Sequence, residues 1–446
     1  MSAELPAAAA PLLELVALGH AGAADSPMFW LQGLPVSRAG FAASAAALAE
    51  RLPNARYAIN VCENRFAFAT AFAAAIARGQ TNLLPASSSP DALAALRSRY
   101  PDSYVLWDEA VRGGVLVPRK PNGAALHEVP LIDGAHPAAL VFTSGSTGQP
   151  QAHLKTWQSI HHSGSTVAAR LFAAYGHVNI VATVPQQHMY GLETSIAVPL
   201  AAAHAISVER PVFPEDVRRA LAALPAPRVL VTTPVHIRAL LGAATRLPAL
   251  AAIISATAPL SSELAERAEI QFAAPVMEIY GSTETGSIAS RRTLEGPHWR
   301  LLDGMQLDNA DGVSRVCVIP GTEVVPLQDI LEVDGDGFRL LGRSGDMVKV
   351  GGKRASLADL TFKLQSIAGV IDAVVFQPEA NDHTLVQRPV ALVVAPGLSE
   401  NEILTALGRL IDPVFLPRPL RKVDQLPRNT VGKLPRQALQ QLLVNA

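Results

Sequence analysis

The sequence predicts an α/β fold, with a large layered α/β domain over residues 1–342 and a small α+β domain over 343–446. Three observations lead there. Short apolar runs rich in Val, Ile and Leu alternate with Ala-rich helical stretches through most of the chain, the pattern of strands covered by helices. From Trp299 the texture changes to short strands and turns. Beyond Gly342 the chain carries strands and helices of its own. At 446 residues, two or three domains of roughly 150 residues fit the length. A hydrophobic content of 49% against 17% charged residues supplies a large core.

Helical spacing and abundant Ala predict helices over 38–52 and 64–78, with a buried strand, Tyr57 to Cys62, between them. Gln80 to Pro85 is a further strand, and Ser89 before Pro90 and Asp91 starts a helix that runs to Arg99. Tyr104 to Trp107 resumes the strand pattern. A helix is predicted over Lys155 to Tyr175, then a buried strand, Asn179 to Val184. Two α/β units follow: Ala205 to Val208 with helix Pro214 to Ala223, and Val229 to Thr232 with helix Pro234 to Leu241. Strand Ala251 to Ser255 and helix Ser261 to Phe272 lead into Pro275–Gly281. Strands are then expected over Arg315 to Ile319, Gly321 to Pro326, Ile330 to Val333 and Phe338 to Leu341, with Asp334-Gly-Asp-Gly337 as a hairpin signal. In the last part, helices Leu357 to Ile367 and Glu400 to Ile411 accompany strands Ala373 to Phe376 and Val390 to Val394.

A net charge of −1 gives the chain no general attraction for nucleic acid or anionic lipid. Cys62 and Cys317 stand 255 positions apart, in no metal-ligand spacing, which fits a reduced, cytoplasmic compartment. Met1 to Leu18 has no Lys or Arg ahead of its apolar part, so it does not read as a signal peptide. The apolar run Ile196 to Ile206 is too short for a membrane span.

The chemistry starts at Val141-Phe-Thr-Ser-Gly-Ser-Thr-Gly148, where an apolar run opens into six residues that are all Gly, Ser or Thr. Such a turn offers hydroxyls and backbone N–H groups to an anion with no bulky side chain in the way. Taken alone it is equally a flexible linker, and no Gly-Lys-Ser/Thr closes it as in a Walker loop. A second turn of the same composition, Ile279-Tyr-Gly-Ser-Thr-Glu-Thr-Gly286, adds one carboxylate. With Leu341-Gly-Arg-Ser-Gly-Asp-Met-Val-Lys-Val-Gly-Gly352 and Pro427-Arg-Asn-Thr-Val-Gly-Lys433, these turns resemble the motifs of the adenylate-forming superfamily, in that family's order. The superfamily includes acyl-CoA synthetases, peptide-synthetase adenylation domains and firefly luciferase.

The resemblance implies a mobile C-terminal domain and a two-step reaction. A carboxylate attacks the α-phosphate of ATP, giving an acyl adenylate and pyrophosphate; a thiol of CoA or of a phosphopantetheinyl acyl carrier protein then displaces AMP. It assigns Thr143, Ser144, Gly145, Ser146, Thr147 and Gly148 to the phosphate loop, Glu284 to Mg2+, Thr283 to the α-phosphate and Tyr280 to the adenine. Asp329 would accept the ribose hydroxyls with Arg343 beside it, and Ala256 and Thr257 would line the nucleotide or acyl pocket. His188, Met189, Gly191 and Gly281 fall on the substrate pocket. Lys433 is the catalytic lysine, an ammonium between two anions that must approach each other, whose effect is greatest at the transition state. Gly345 or Asp346 is the hinge, and Lys349 and Gly352 belong to the face used in the second step.

Three departures bear on function. Pro150-Gln151-Ala152 stands where the family has Pro-Lys-Gly; either Lys155, four residues on, reaches the same phosphates, or that charge is absent. Gly345 stands where the family carries an Asp or Lys hinge. Met189 occupies the position at which amino-acid-activating relatives place an Asp for the α-amino group, which points to a non-amino acid, aryl or short to medium acyl; Glu193 nearby is the other candidate for that amine. Arg418, Arg421 and Lys422 would meet an acidic carrier or the CoA phosphates, or form a solvated face. The competing class is a nucleotide-binding regulatory module that has lost catalysis, favoured by Gln151 and Gly345 and opposed by Glu284 and Lys433.

Overall fold

In a computed structural model of the chain, the residues described are 15–18, 23–109, 114–122, 130–143, 150–310, 313–318, 324–343, 346–350, 353–378, 388–428 and 434–445. Two large sheets dominate. The first has eleven strands around a parallel centre in which Pro27–Leu31, Ala205–Ser207, Asn179–Ala182, Arg228–Thr232, Ala252–Ser255 and Val276–Ser282 lie side by side. Its far edge turns antiparallel through Gly286–Arg292, His298–Leu301, Gly337–Arg343 and Asp329–Asp334. The second sheet has six strands, with Pro137–Thr143, Thr81–Leu84, Tyr57–Asn60, Ser103–Trp107 and Val115–Leu116 parallel and Gln151–Thr156 antiparallel at its edge.

Helix Arg65–Ala77 is apolar on every side, and only its last residue escapes burial. A helix of that kind belongs between layers. One core runs from Phe29 and Ile180 on the first sheet through Phe66, Phe68 and Phe72 to Ala58 and Leu84 on the second. Arg65 opens the helix fully buried, donating to the carbonyls of Ala182 at 2.6 Å, Val184 at 2.8 Å and Glu209. Burial pulls its guanidinium down to about 9. Helices Pro214–Ala222, Pro234–Gly242 and Ser262–Phe272 cover the other face with a separate core that includes Leu221, Leu240 and Leu264. Ser89 accepts from the Ala92 amide and Ser261 from Leu264, so both helices begin on a capping hydroxyl.

Toward the C-terminus, Asp372–Phe376, Val390–Val394 and Leu420–Lys422 form a three-stranded sheet, and Val348, Leu360, Val375 and Ile403 share a cluster of their own. Among the described residues no helix is long and apolar enough to cross a membrane.

One element departs from expectation. Lys155 lies in a strand, Gln151–Thr156, and the helix begins only at Trp157, capped by the Thr156 hydroxyl. The strand's hydrophobic pattern is inverted: Leu154 is 56% exposed while Lys155 is 6% exposed. Residues 151, 153 and 155 share one face by the two-residue strand period, and along it burial deepens from exposed Gln151 through half-buried His153 to buried Lys155.

Candidate active site

The strand ends of the two sheets bring the motif turns together. Thr143 closes strand Pro137–Thr143, and its Oγ1 is 3.1 Å from Nε2 of His153 on the neighbouring strand. The same His153 nitrogen lies 3.7 Å from Oε1 of Glu284. The entrance to the first Gly/Ser/Thr loop therefore stands within one imidazole of the carboxylate in the second. Burial lowers the basicity of His153, which Glu284 opposes. Ser144, Gly145, Ser146, Thr147 and Gly148 lie outside the described residues.

Glu284 sits in the tight connection between the antiparallel strands Val276–Ser282 and Gly286–Arg292. Ser282 and Thr285 close it reciprocally: the Ser282 amide donates to Thr285 Oγ1 at 3.1 Å, and the Thr285 amide donates to Ser282 Oγ at 3.2 Å. A Cβ on Gly281 would lie 2.1 Å from the Gly286 carbonyl oxygen, so only glycine lets these strands approach. The Glu284 side chain is 47% exposed. Partial burial pushes its carboxyl up, but hydrogen bonds from Ser282 and its own amide, with His153 and Lys155 nearby, outweigh this and hold it below the usual range. An ionised, accessible oxygen donor close to the Gly/Ser/Thr turn after Thr143 is of the kind that suits Mg2+, which takes one or two carboxylates together with phosphate oxygens. Thr283, half-buried, precedes it.

Tyr280 and Asp329 meet directly: the phenol donates to Asp329 Oδ2 at 2.5 Å. The Tyr280 ring packs against Trp299 and Phe338, with centroids 5.6 and 5.3 Å away, and the Arg291 guanidinium lies 4.5 Å from the Trp299 centroid. Asp329 is paired in register with Arg343, whose side chain lies outside the described residues. The two expected nucleotide contacts, 49 residues apart, are thus one unit on the antiparallel edge.

On the pocket side, Met189 is buried and half-buried His188 precedes it. A Cβ on Gly286 would stand 3.4 Å from Met189 Cε, which places Met189 against the turn. Gly191 leaves no room for a side chain, since a Cβ would sit 1.9 Å from the Pro185 carbonyl oxygen. Tyr190 donates to the carbonyls of Thr232 at 3.2 Å and Ile254 at 3.0 Å; burial pushes its phenol well above the ordinary value. Ala256 is buried at the end of strand Ala252–Ser255, and Thr257 follows it, exposed, with φ +76°. A β-branched residue in the left-handed region carries about 1–2 kcal/mol of strain. Thr257→Gly is therefore expected to raise thermal stability, by roughly 0.5–1 kcal/mol after the added freedom of the unfolded chain is subtracted; an unchanged or lowered Tm would contradict this.

Asp346 lies ahead of strand Met347–Val350; the side chain of Lys349 and all of Gly345, Gly352 and Lys433 lie outside the described residues.

Four residues without a part in any motif complete the site. Lys155, 6% exposed, donates from Nζ to the Glu284 carbonyl oxygen at 2.6 Å, and burial pulls it down to about 8. It stands four residues, roughly 13 Å of strand, from Gln151. Glu193 is 2% exposed and accepts from the Ser287 amide and hydroxyl, both at 2.7 Å, and from the Ser163 hydroxyl. Burial pushes this carboxyl up against the pull of those donors and of Lys155. At 2% exposure and already accepting three hydrogen bonds, Glu193 is poorly placed to receive an α-amino group. Sequence reading singles out Lys155 and Glu193, for other roles and by their places beside the motifs; Ser163 and Ser287 carry no local signal.

Residues 26–324 match the family described as AMP-binding enzyme. A 4-coumarate–CoA ligase of Halorhodospira halophila is 29% identical over 317 residues, 67% of this chain and 75% of that protein. The peroxisomal OPC-8:0-CoA ligase 1 of Arabidopsis thaliana is 24% identical over 73% of this chain and 67% of its own. Among solved structures, ATP-bound MatB from Rhodopseudomonas palustris superposes with a TM-score of 0.77 at 18% identity, covering 94% of this chain and 96% of that one. The o-succinylbenzoate CoA synthetase of Bacillus subtilis in complex with AMP gives 0.76 at 18% identity, covering 93% and 95%.

Proposed function

The chain belongs to the family of AMP-binding enzymes, and from that premise we propose that it activates a non-amino carboxylic acid, aryl or short to medium acyl, as its acyl adenylate and passes the acyl group to a thiol. The observation that carries this reading is that Thr143 and Glu284 meet across His153, and that the strand leading into the Glu284 turn also carries Tyr280, bonded to Asp329. The acid–thiol ligase activity matches the CoA ligases among its relatives.

A carboxylate is a poor electrophile; transfer of its oxygen to the α-phosphorus with loss of pyrophosphate turns that oxygen into part of a leaving group. The step is mainly positioning and charge neutralisation. Tyr280 and Asp329 hold adenine and ribose, Thr143 and the residues after it hold the phosphates, and Thr283 touches the α-phosphate. Glu284 would hold Mg2+, which supplies charge neutralisation on the phosphate oxygens when bound. Lys433, from a C-terminal domain beginning at residue 343, joins the two anions. Met189 in place of an acidic side chain, with Glu193 enclosed, favours an acid without an α-amino group. CoA is the acceptor indicated by the relatives; a carrier protein is the second candidate, and a cytoplasmic location fits either.

Carboxylate-dependent exchange of labelled pyrophosphate into ATP, screened over aryl, fatty and amino acids, tests this. Exchange is expected with an aryl or acyl acid and not with α-amino acids. A protein that binds ATP yet exchanges with no acid would instead be the regulatory module, and exchange confined to amino acids would overturn the pocket assignment. Repeating the productive reaction with CoA and with phosphopantetheinylated carrier protein separates the acceptors.

A further inference from the structure

The turn that carries Glu284 is held from beneath by two buried side chains of opposite charge that no motif includes. On one side, Lys155 donates to the Glu284 carbonyl oxygen at 2.6 Å and forms no ion pair among the described residues. On the other, Glu193 accepts from the Ser287 amide at 2.7 Å and from the Ser287 hydroxyl at 2.7 Å. Ser163 Oγ donates to the same carboxylate, so three donors converge on its two oxygens.

The surrounding fold is shaped to bring these groups together. Glu193 opens a π-helical segment, Glu193–Ala197, of the kind that redirects side chains at functional sites. Helix Trp157–Phe172 crosses that segment at Gly164, where a Cβ would stand 2.5 Å from the carbonyl carbon and oxygen of Ala197. The glycine lets the helix come close enough for adjacent Ser163 to reach Glu193. A Cβ on Gly286, itself at φ +74°, would lie 2.6 Å from Glu193 Oε1, so the carboxylate occupies the space directly behind the turn.

We propose that Lys155 and Glu193 are positioning residues, a two-sided buried clamp that fixes the hairpin turn 282–287, and with it Glu284, before the nucleotide arrives. A tip joining two antiparallel strands and half-open to water has few other restraints; gripping a carbonyl of the turn and the amide of the strand residue that leaves it restricts the tip from both ends. The two opposite charges also favour each other across the turn, so loss of either weakens the hold of the other. The role of the turn rests on the reading of Glu284 as the metal ligand, whereas the clamp is tested without it.

Amide hydrogen exchange of the nucleotide-free, full-length protein reads the clamp directly. Lys155→Met, close in volume but uncharged, is expected to speed exchange of the amides at 283–287 at least tenfold while other strands keep their protection. Lys155→Gln, which still donates but lacks the charge, should fall between parent and Met variant, and Lys155→Met with Glu193→Gln should loosen the turn no more than the worse single change. Unchanged exchange in Lys155→Met, a loosening spread over the whole sheet, or additive effects in the double variant would each overturn the proposal. In the same variants the half-saturating Mg2+ for pyrophosphate exchange should rise about tenfold or more. A loosened turn with no shift in Mg2+ dependence would sink the metal assignment of Glu284 and leave the clamp standing.

Discussion

Replacing Lys433 with alanine is expected to lower adenylate formation by roughly a thousandfold while ATP still binds. The physical reason is electrostatic. Substrate carboxylate and α-phosphate repel each other along the reaction path, and an ammonium between them is worth most when they are closest. The described chain ahead of residue 429 is well held. Arg428 makes a two-pronged ion pair with Asp372, Nε to Oδ2 and one terminal nitrogen to Oδ1, both at 2.7 Å. A forked guanidinium–carboxylate contact fixes orientation as well as distance, and Leu426, two residues earlier, is buried against Leu392 and Leu439. Thiolysis of a synthetic acyl adenylate, which needs no approach of two anions, should survive in Lys433→Ala. Pyrophosphate exchange equal to the parent's would remove Lys433 from the mechanism, and equal loss in both half-reactions would make its role structural.

Glu284→Ala is the second large effect: about a hundredfold or more off kcat/KM, partly recovered by excess Mg2+. Because the side chain is 47% exposed, solvent screens its interactions and its loss should leave the thermal transition nearly unchanged. That separates it from Glu193, whose carboxylate is enclosed by Ser163 and Ser287 and whose removal disturbs the packing of the turn. An unaltered Mg2+ dependence in Glu284→Ala would contradict the metal role.

What could be read from the sequence is what local chemistry marks. Alternating strands and helices announced a layered α/β domain, and the turns at 143 and 280–286 stood out by composition but took their assignment from the resemblance of four motifs in order. Tyr280 and Asp329 were assigned separately to one nucleotide, and their hydrogen bond joins them. Strand Gln151–Thr156 was misread because its lysine faces in and its leucine faces out, the reverse of what amphipathic patterning assumes. Such inversions are expected where function overrides packing. The Lys155–Glu193 arrangement was out of reach for a different reason. Its members, Lys155, Ser163, Glu193 and Ser287, are scattered over the chain and meet only because Gly164 lets a helix approach Ala197. Whether Lys155 replaces the missing phosphate-loop lysine was left open by the residues alone; its ammonium is directed instead at the Glu284 carbonyl.

The central claim, that carboxylate oxygen attacks the α-phosphorus, is tested most directly by oxygen transfer. An acid labelled with 18O in its carboxylate, turned over with ATP and thiol, is predicted to yield AMP carrying one 18O on its phosphate. Unlabelled AMP, or label appearing in orthophosphate through an acyl phosphate, would contradict it.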